Sequence, residues 1–167
     1  MAEDFVDLSR FEAGKRYIDA LEKLGFSVDY ALWTVPSDTD VPDDTQLSIV
    51  SHIIEAVGSN TVYELLFKAY ERAGTPPEID PWIVSLYGTN TAFGRHVTTI
   101  HDVADEAYLT IMTEDGPQKQ AVQTWLQIVD RFTKPRWIYK LAHFDDKPGD
   151  DWWAFERFRR NVEALAA

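Results

Sequence analysis

The stretches that decide the fold are FSVDYALWTV at residues 26–35 and QLSIVSHII at residues 46–54. Both are rich in aromatic and β-branched residues, which is typical of β-strands. Pro36 ends the first stretch, and the polar segment 37–45 separates it from the second. We therefore expect residues 27–54 to form an antiparallel hairpin, with His52 as an ordinary sheet residue.

Helical periodicity and further strand-like runs flank this hairpin. Apolar residues recur at helical spacing in four segments: 9–24, 60–73, a helix capped at Asp115 and ending at Phe132, and 150–165. Strand-like runs occupy 82–87, 107–113 and 137–144, and small residues form a loop at 88–94. The pattern predicts an α+β fold: one domain over residues 1–167, with a largely antiparallel or mixed sheet of about five strands packed by four helices.

Composition excludes several classes of protein. The chain has 167 residues, 45% of them hydrophobic, and no cysteine. A disulfide scaffold, a thiol nucleophile and cysteine-ligated metals are therefore excluded. No apolar run reaches the length of a membrane span, and the N-terminal residues lack the core of a signal peptide. We expect a cytoplasmic protein without a membrane partner.

The net charge of −12 narrows the choice of partner. Residues 1–130 carry a charge of −14, and residues 131–167 carry +2. Aromatic and basic residues alternate between 132 and 158, as in proteins that bind single-stranded nucleic acid. The acidic charge of the whole chain opposes phosphate, so nucleic acid is an unlikely partner. Excess acid either keeps the protein soluble or attracts a basic protein.

The C-terminal helix is the first candidate site. At about 100° per residue, its apolar positions share one face, and Trp153 falls on the opposite face beside Arg157 and Arg160. Tryptophan and arginine are enriched where protein interfaces gain most of their affinity. This arrangement predicts a partner-binding patch, unless Trp153 packs against another element.

A second candidate site follows the strand at 82–87. The segment 87–96, YGTNTAFGRH, could offer backbone N–H groups to an anion, with Arg95 as a clamp. His96 or His101 could then act as general base, oriented by Asp102. The segment matches neither phosphate-binding glycine signature, so we favour a turn that needs glycine, with surface histidines beside it.

Two acidic clusters complete the candidates. One consists of Asp38, Asp40, Asp43 and Asp44, and the other lies within residues 145–151. Neither has the spacing of a calcium-binding loop. The sequence predicts no metal site and no cofactor, and it assigns the first cluster to contact with a basic protein.

Two classes of function remain open. The sequence favours a non-enzymatic interaction module, such as an inhibitor, an immunity-type protein or an adaptor, that holds another protein through its acidic surface and its exposed aromatic and arginine residues. A DNA-mimic inhibitor is a variant of this class. The alternative is a small enzyme that acts on an anionic or polar metabolite near Arg95, His96, His101 and Asp102.

Overall fold

The expected hairpin forms the middle of the sheet. In the computed structural model, β1 (Tyr30–Pro36) and β2 (Gln46–Val50) pair antiparallel. The residues described are 5–37, 44–105, 108–121, 125–139 and 151–166. Every residue of β1 between its two ends is buried, which explains why the stretch is apolar on both faces.

Five helices and seven strands occur in this described part of the chain. The helices are α1 (Leu8–Lys23), α2 (His52–Val57), α3 (Ser59–Glu71), α4 (Ala92–Asp105) and α5 (Asp151–Glu163). The strands after β2 are β3 (Val84–Tyr87), β4 (Tyr108–Thr113), β5 (Gly116–Ala121), β6 (Leu126–Ile128) and β7 (Arg131–Thr133). Two 3₁₀ turns lie at Pro81–Ile83 and Pro135–Trp137.

Five of the strands form one mixed sheet in the order β3-β2-β1-β7-β6. The β2–β3 pair is parallel, and α2 and α3 lie between these strands in the chain, as a parallel connection requires. The other neighbours pair antiparallel. β4 and β5 form a separate two-stranded hairpin. The predicted α+β class is confirmed, with about four helices packed on a five-stranded mixed sheet.

The two faces of the sheet carry separate cores. The larger core joins Trp33 of β1 to the apolar stripes of α1, α3 and α5. The smaller core, on the other face, packs Leu32 and Val50 against Phe93 and Val97 of α4. Alternate residues of β1 therefore enter opposite cores, as the two-residue period of a strand dictates.

The helix predicted between Asp115 and Phe132 is wrong. Gly116, with φ of +105°, follows Glu114 and Asp115 at the turn between β4 and β5, so the acidic residues mark a hairpin and not a helix cap. A second tight turn joins Ile128 to Arg131, where Val129 adopts φ of +57°. A β-branched residue rarely takes that conformation, and the sequence therefore gave no sign of this turn.

Two shorter predictions also need correction. His52 is not a sheet residue, because Ser51 caps α2 by accepting a hydrogen bond from the backbone N–H of Ile53. Trp82 does not begin a buried strand, because Asp80 caps a 3₁₀ turn there and leaves Trp82 79% exposed.

Of the predicted strand at 137–144, the acidic turn and the final helix, the structure describes the start of the strand and the helix. A single antiparallel bridge joins Ile138 to Leu32, and residues 140–150 lie outside the described part, together with the predicted acidic turn. The final helix is present as α5. No helix in the described residues is long and apolar enough to cross a membrane.

Candidate functional site

The outer face of α5 carries an exposed tryptophan. Phe155, Phe158 and Val162 are buried in the larger core, and this orients the opposite side of the helix towards solvent. Trp153 on that side is 61% exposed. Arg157 and Arg160 follow one and two turns later and are also exposed. We call Trp153, Arg157 and Arg160 the outer α5 surface.

Ion pairing divides the arginines of α5 into two groups. Arg159 contacts Glu156 at 2.6 Å and Glu163 at 3.0 Å. These contacts lower the pKa of Glu156 and raise that of Arg159. Arg157 and Arg160 have no carboxylate within ion-pair distance among the described residues, although Arg160 acts on Glu156 at longer range. The outer α5 surface therefore carries two cations that form no ion pair among the described residues.

An open groove adjoins this surface at the end of α1. It has a volume of about 370 Å³ and is lined by Glu22, Lys23, Gly25, Phe26, Ser27, Arg157 and Asn161. Gly25 has φ of +96°, and a Cβ atom at this position would lie 3.3 Å from Nδ2 of Asn161 and 3.4 Å from Cγ of Arg157. The Asn161 side chain donates to the carbonyl oxygen of Leu24 at 2.8 Å, which satisfies the end of α1. We call this the α1–α5 groove.

A histidine between two carboxylates connects the start of α5 to the sheet. The Nδ1 atom of His52 lies 2.8 Å from Asp29, and its Nε2 atom lies 3.4 Å from Asp151, the first residue of α5. The backbone N–H of His52 also donates to Asp29 at 2.7 Å. Because protonated imidazole can pair with both carboxylates, this contact holds α5 most firmly when His52 is charged.

The surroundings of His52 raise its pKa. The side-chain hydrogen bond to Asp29 is the main cause, and partial burial opposes it. The charges of Asp29, Asp151 and Glu55 reinforce the increase. Sequence reasoning missed this cluster because its three members come from distant segments; the serine that caps α2 was the only local signal.

The predicted anion-binding loop is occupied by a side chain of the protein itself. The Glu55 carboxylate accepts hydrogen bonds from the hydroxyl of Thr89 and from the backbone N–H of Asn90, and also from the Asn90 side chain at 3.1 Å. Thr91 accepts the backbone N–H groups of Gly94 and Arg95 at 3.0 and 2.9 Å. The backbone N–H groups of Asn90, Gly94 and Arg95 are therefore already satisfied within the protein.

Close packing explains the glycines of this segment. A Cβ atom on Gly94 would lie 2.3 Å from the carbonyl oxygen of Gly88, and one on Gly88 would lie 2.7 Å from Glu55. The segment 92–94 belongs to α4 and not to a loop. The glycine pattern thus reflects the approach of α4 to the preceding strand, with no ligand required.

The catalytic candidates lie along α4. Arg95 and His96 are exposed at consecutive helical positions, so they diverge by about 100°. His101 and Asp102 lie in the last two turns of the same helix. Within the described residues, no three histidine, aspartate or glutamate side chains form a group that could hold a metal ion.

The edge of the sheet at β3 is protected by Tyr63. Its hydroxyl donates to the carbonyl oxygen of Val84 at 2.6 Å and accepts the N–H of Leu86 at 3.2 Å. Such cover hinders the addition of a further strand. Trp82, beside this edge, packs edge-to-face on Phe67 with ring centroids 5.1 Å apart. Trp82 is exposed, as are Trp152 and Trp153 of α5, and the prediction that it lies in a buried strand is wrong.

Of the first acidic cluster, the structure describes only Asp44, which is exposed. Asp38, Asp40 and Asp43 lie outside the described residues.

Comparison with known proteins gives no match: no protein family, no curated protein and no solved structure matches this chain.

Proposed function

We propose that this protein is a non-enzymatic interaction module, such as an inhibitor, an immunity-type protein or an adaptor, that holds another protein through the outer α5 surface. The observation that carries the proposal is the 61% exposure of Trp153 beside Arg157 and Arg160, two arginines without an ion pair in the described residues. Tryptophan and arginine, with tyrosine, are enriched among the few residues that supply most of the affinity of a protein interface.

The packing of α5 supports this use of its outer face. The inner face is anchored by three buried apolar side chains, Phe155, Phe158 and Val162. Asn161 ties the helix to the end of α1. A surface on a firmly held helix loses little conformational entropy when a partner binds, so the energy gained by covering Trp153 is available for affinity.

The net charge of the whole protein should affect the rate at which a partner associates. A net charge of −12 attracts proteins of positive net charge over distances up to the Debye length. Such attraction mainly changes the association rate, while the buried contacts set dissociation. We therefore expect added salt to slow association with little change in the dissociation rate.

The alternative, a small enzyme acting near Arg95 and His96, has less support. It requires free backbone N–H groups and converging side chains, whereas Glu55 occupies the loop and the two residues follow each other on a helix. The interaction module requires only the exposed surface described above.

A comparative pull-down tests the proposal. The baits are the wild-type protein, the variant Trp153→Ala/Arg157→Ala/Arg160→Ala, and the control Trp82→Ala, which removes an exposed tryptophan elsewhere. Captured proteins from cells that produce this protein are quantified by mass spectrometry. The proposal predicts a stoichiometric partner that is retained by Trp82→Ala and lost by the triple variant. A partner retained equally by all three baits, or no specific partner, contradicts it.

A further inference from the structure

We infer that the part of the partner seated on the outer α5 surface is an acidic segment, whose carboxylates pair with Arg157 and Arg160 and extend into the α1–α5 groove. This inference rests on the proposed function, which it deepens by naming the chemistry of the bound segment. Its basis is the difference between the local charge of this surface and the charge of the whole chain.

The acids of α5 leave these arginines without a partner. Asp151 contacts His52, while Glu156 and Glu163 contact Arg159. All three acids of the helix are therefore engaged. Within the part of the chain that the structure describes, Arg157 and Arg160 each remain without an ion pair, on a protein that carries twelve more acids than bases.

The groove extends the positive region beyond the helix. Lys23, in the last turn of α1, is exposed and lines the groove together with Arg157. Glu22 is the opposing charge there and is half-buried. Two cations against one anion leave the groove positive, and Arg160 adds a third cation on the adjoining surface.

The end of α1 does not cancel this positive charge. Carbonyl groups at a helix C-terminus carry partial negative charge and would repel a carboxylate. Here the carbonyl oxygens of Leu21, Glu22 and Leu24 accept hydrogen bonds from Phe26, Gly25 and Asn161, respectively. Because these acceptors are satisfied, the side chains of Lys23 and Arg157 determine the sign at the groove.

The geometry suits a peptide-like segment with both acidic and apolar residues. A guanidinium can bind a carboxylate through two parallel hydrogen bonds, and Trp153 offers an indole face one turn from Arg157. A bound segment that places an apolar residue against the indole of Trp153 and a carboxylate against the guanidinium of Arg157 would contact both side chains. Nucleic acid also carries negative charge, but three cations on a chain of net charge −12 are a poor match for a phosphate backbone.

Selection from a random dodecapeptide library displayed on phage tests the inference on the full-length protein. Enriched peptides are synthesised, and their affinities are measured by fluorescence polarisation. One test variant is Arg157→Gln/Arg160→Gln, in which glutamine keeps part of each arginine stem, and a second is Trp153→Ala, which identifies the peptides that depend on this tryptophan. The matched control is Arg159→Gln, which removes an arginine that is already paired. A single-stranded oligonucleotide of 20 nucleotides serves as a second probe.

The expected result is enrichment of acidic peptides with an apolar residue. Their affinity should fall at least tenfold in the double variant and less than twofold in Arg159→Gln. The inference is overturned by peptides that depend on Trp153 but carry no acid, by acidic peptides that the double variant still binds, by selection of no Trp153-dependent peptide, or by tighter binding of the oligonucleotide. The proposed function is decided separately, by the protein captured in the pull-down.

Discussion

Two arginine-containing surfaces that the sequence singled out prove to be opposite in kind. Around Gly88 and Arg95, a carboxylate from α2 accepts the backbone and side-chain donors of the loop. On the outer α5 surface, Arg157 and Arg160 lack an ion pair with any described residue, and Trp153 is exposed. The donors of the first surface are satisfied from within the protein, whereas the arginines of the second form no ion pair among the described residues.

This difference explains why composition alone could not rank the two sites. Both have an arginine beside aromatic and small polar residues. What separates them is Glu55, which lies 35 residues before Asn90 in the chain and reaches the loop only because the parallel pairing of β2 and β3 brings α2 to the same end of the sheet. A polar site becomes a candidate for binding only after its internal partners are known.

The largest expected effect is that of Trp153→Ala on partner binding. Loss of a central interface tryptophan should weaken binding by about 2 kcal/mol, or roughly thirtyfold. Because Trp153 is exposed, the free energy of unfolding should change by less than about 0.5 kcal/mol. Affinity for the captured partner and urea unfolding measure the two quantities. Equal weakening by Trp82→Ala would remove the distinction between the two tryptophans.

Removal of Glu55 should have the opposite effects, lowering stability and leaving partner affinity unchanged. Glu55→Ala leaves Thr89 and Asn90 without their internal acceptor, so the free energy of unfolding should fall by about 1 kcal/mol, with solvent replacing part of the loss. Partner affinity should stay within twofold. Urea unfolding together with the same binding assay provides the check. Unchanged stability would mean that the loop is not held by this carboxylate.

The contact between His52 and α5 predicts a smaller, pH-dependent effect. Because the pKa of His52 is raised in the folded protein, its stabilisation is complete below the unfolded pKa of about 6.5 and is lost as pH rises through the folded pKa. With His52 partly exposed, the effect should remain below about 1 kcal/mol.

The contribution of His52 to the free energy of unfolding is measured by unfolding the wild type and His52→Gln at several pH values between about 5 and 8. The stability difference between the two proteins should be greatest at the acidic end and should shrink as pH rises. A difference that grows with pH would show that neutral His52 makes the stabilising contact.

The smallest expected effect is that of Arg159→Ala. Its ion pair with Glu156 is partly buried and its ion pair with Glu163 is more exposed, so stability should fall only slightly, and affinity should remain within twofold. The same substitution at Arg157 should reduce affinity clearly. If calorimetry with the captured partner gave equal losses at the two positions, ion pairing would not be what distinguishes the arginines of α5.

Local sequence predicted the elements whose signals are local. The hairpin of β1 and β2 follows from aromatic and β-branched content and from the break at Pro36, whereas the helices α1 and α3 and the orientation of α5 follow from apolar periodicity. The false helix before Phe132 arose because its apolar residues recur at helical spacing, while the turn that breaks it places Val129 in an uncommon conformation.

The candidate site was predictable only in part. The 100° step of a helix was enough to place Trp153, Arg157 and Arg160 on one face. The groove beside them was not predictable, because it depends on Asn161 meeting the end of α1, which lies 137 residues away in the chain. The sequence also does not decide which arginine pairs with Glu156 and Glu163, because both Arg159 and Arg160 lie one helical turn from each of these acids.

Hydrogen–deuterium exchange of the free protein and of its complex with the captured partner tests the central claim most directly. The account predicts slower exchange in the complex across α5 (Asp151–Glu163) and at residues 22–27 of the α1–α5 groove, with no change at residues 88–96. Protection at 88–96 with α5 unchanged would contradict it and would identify the opposite side of the sheet as the interface.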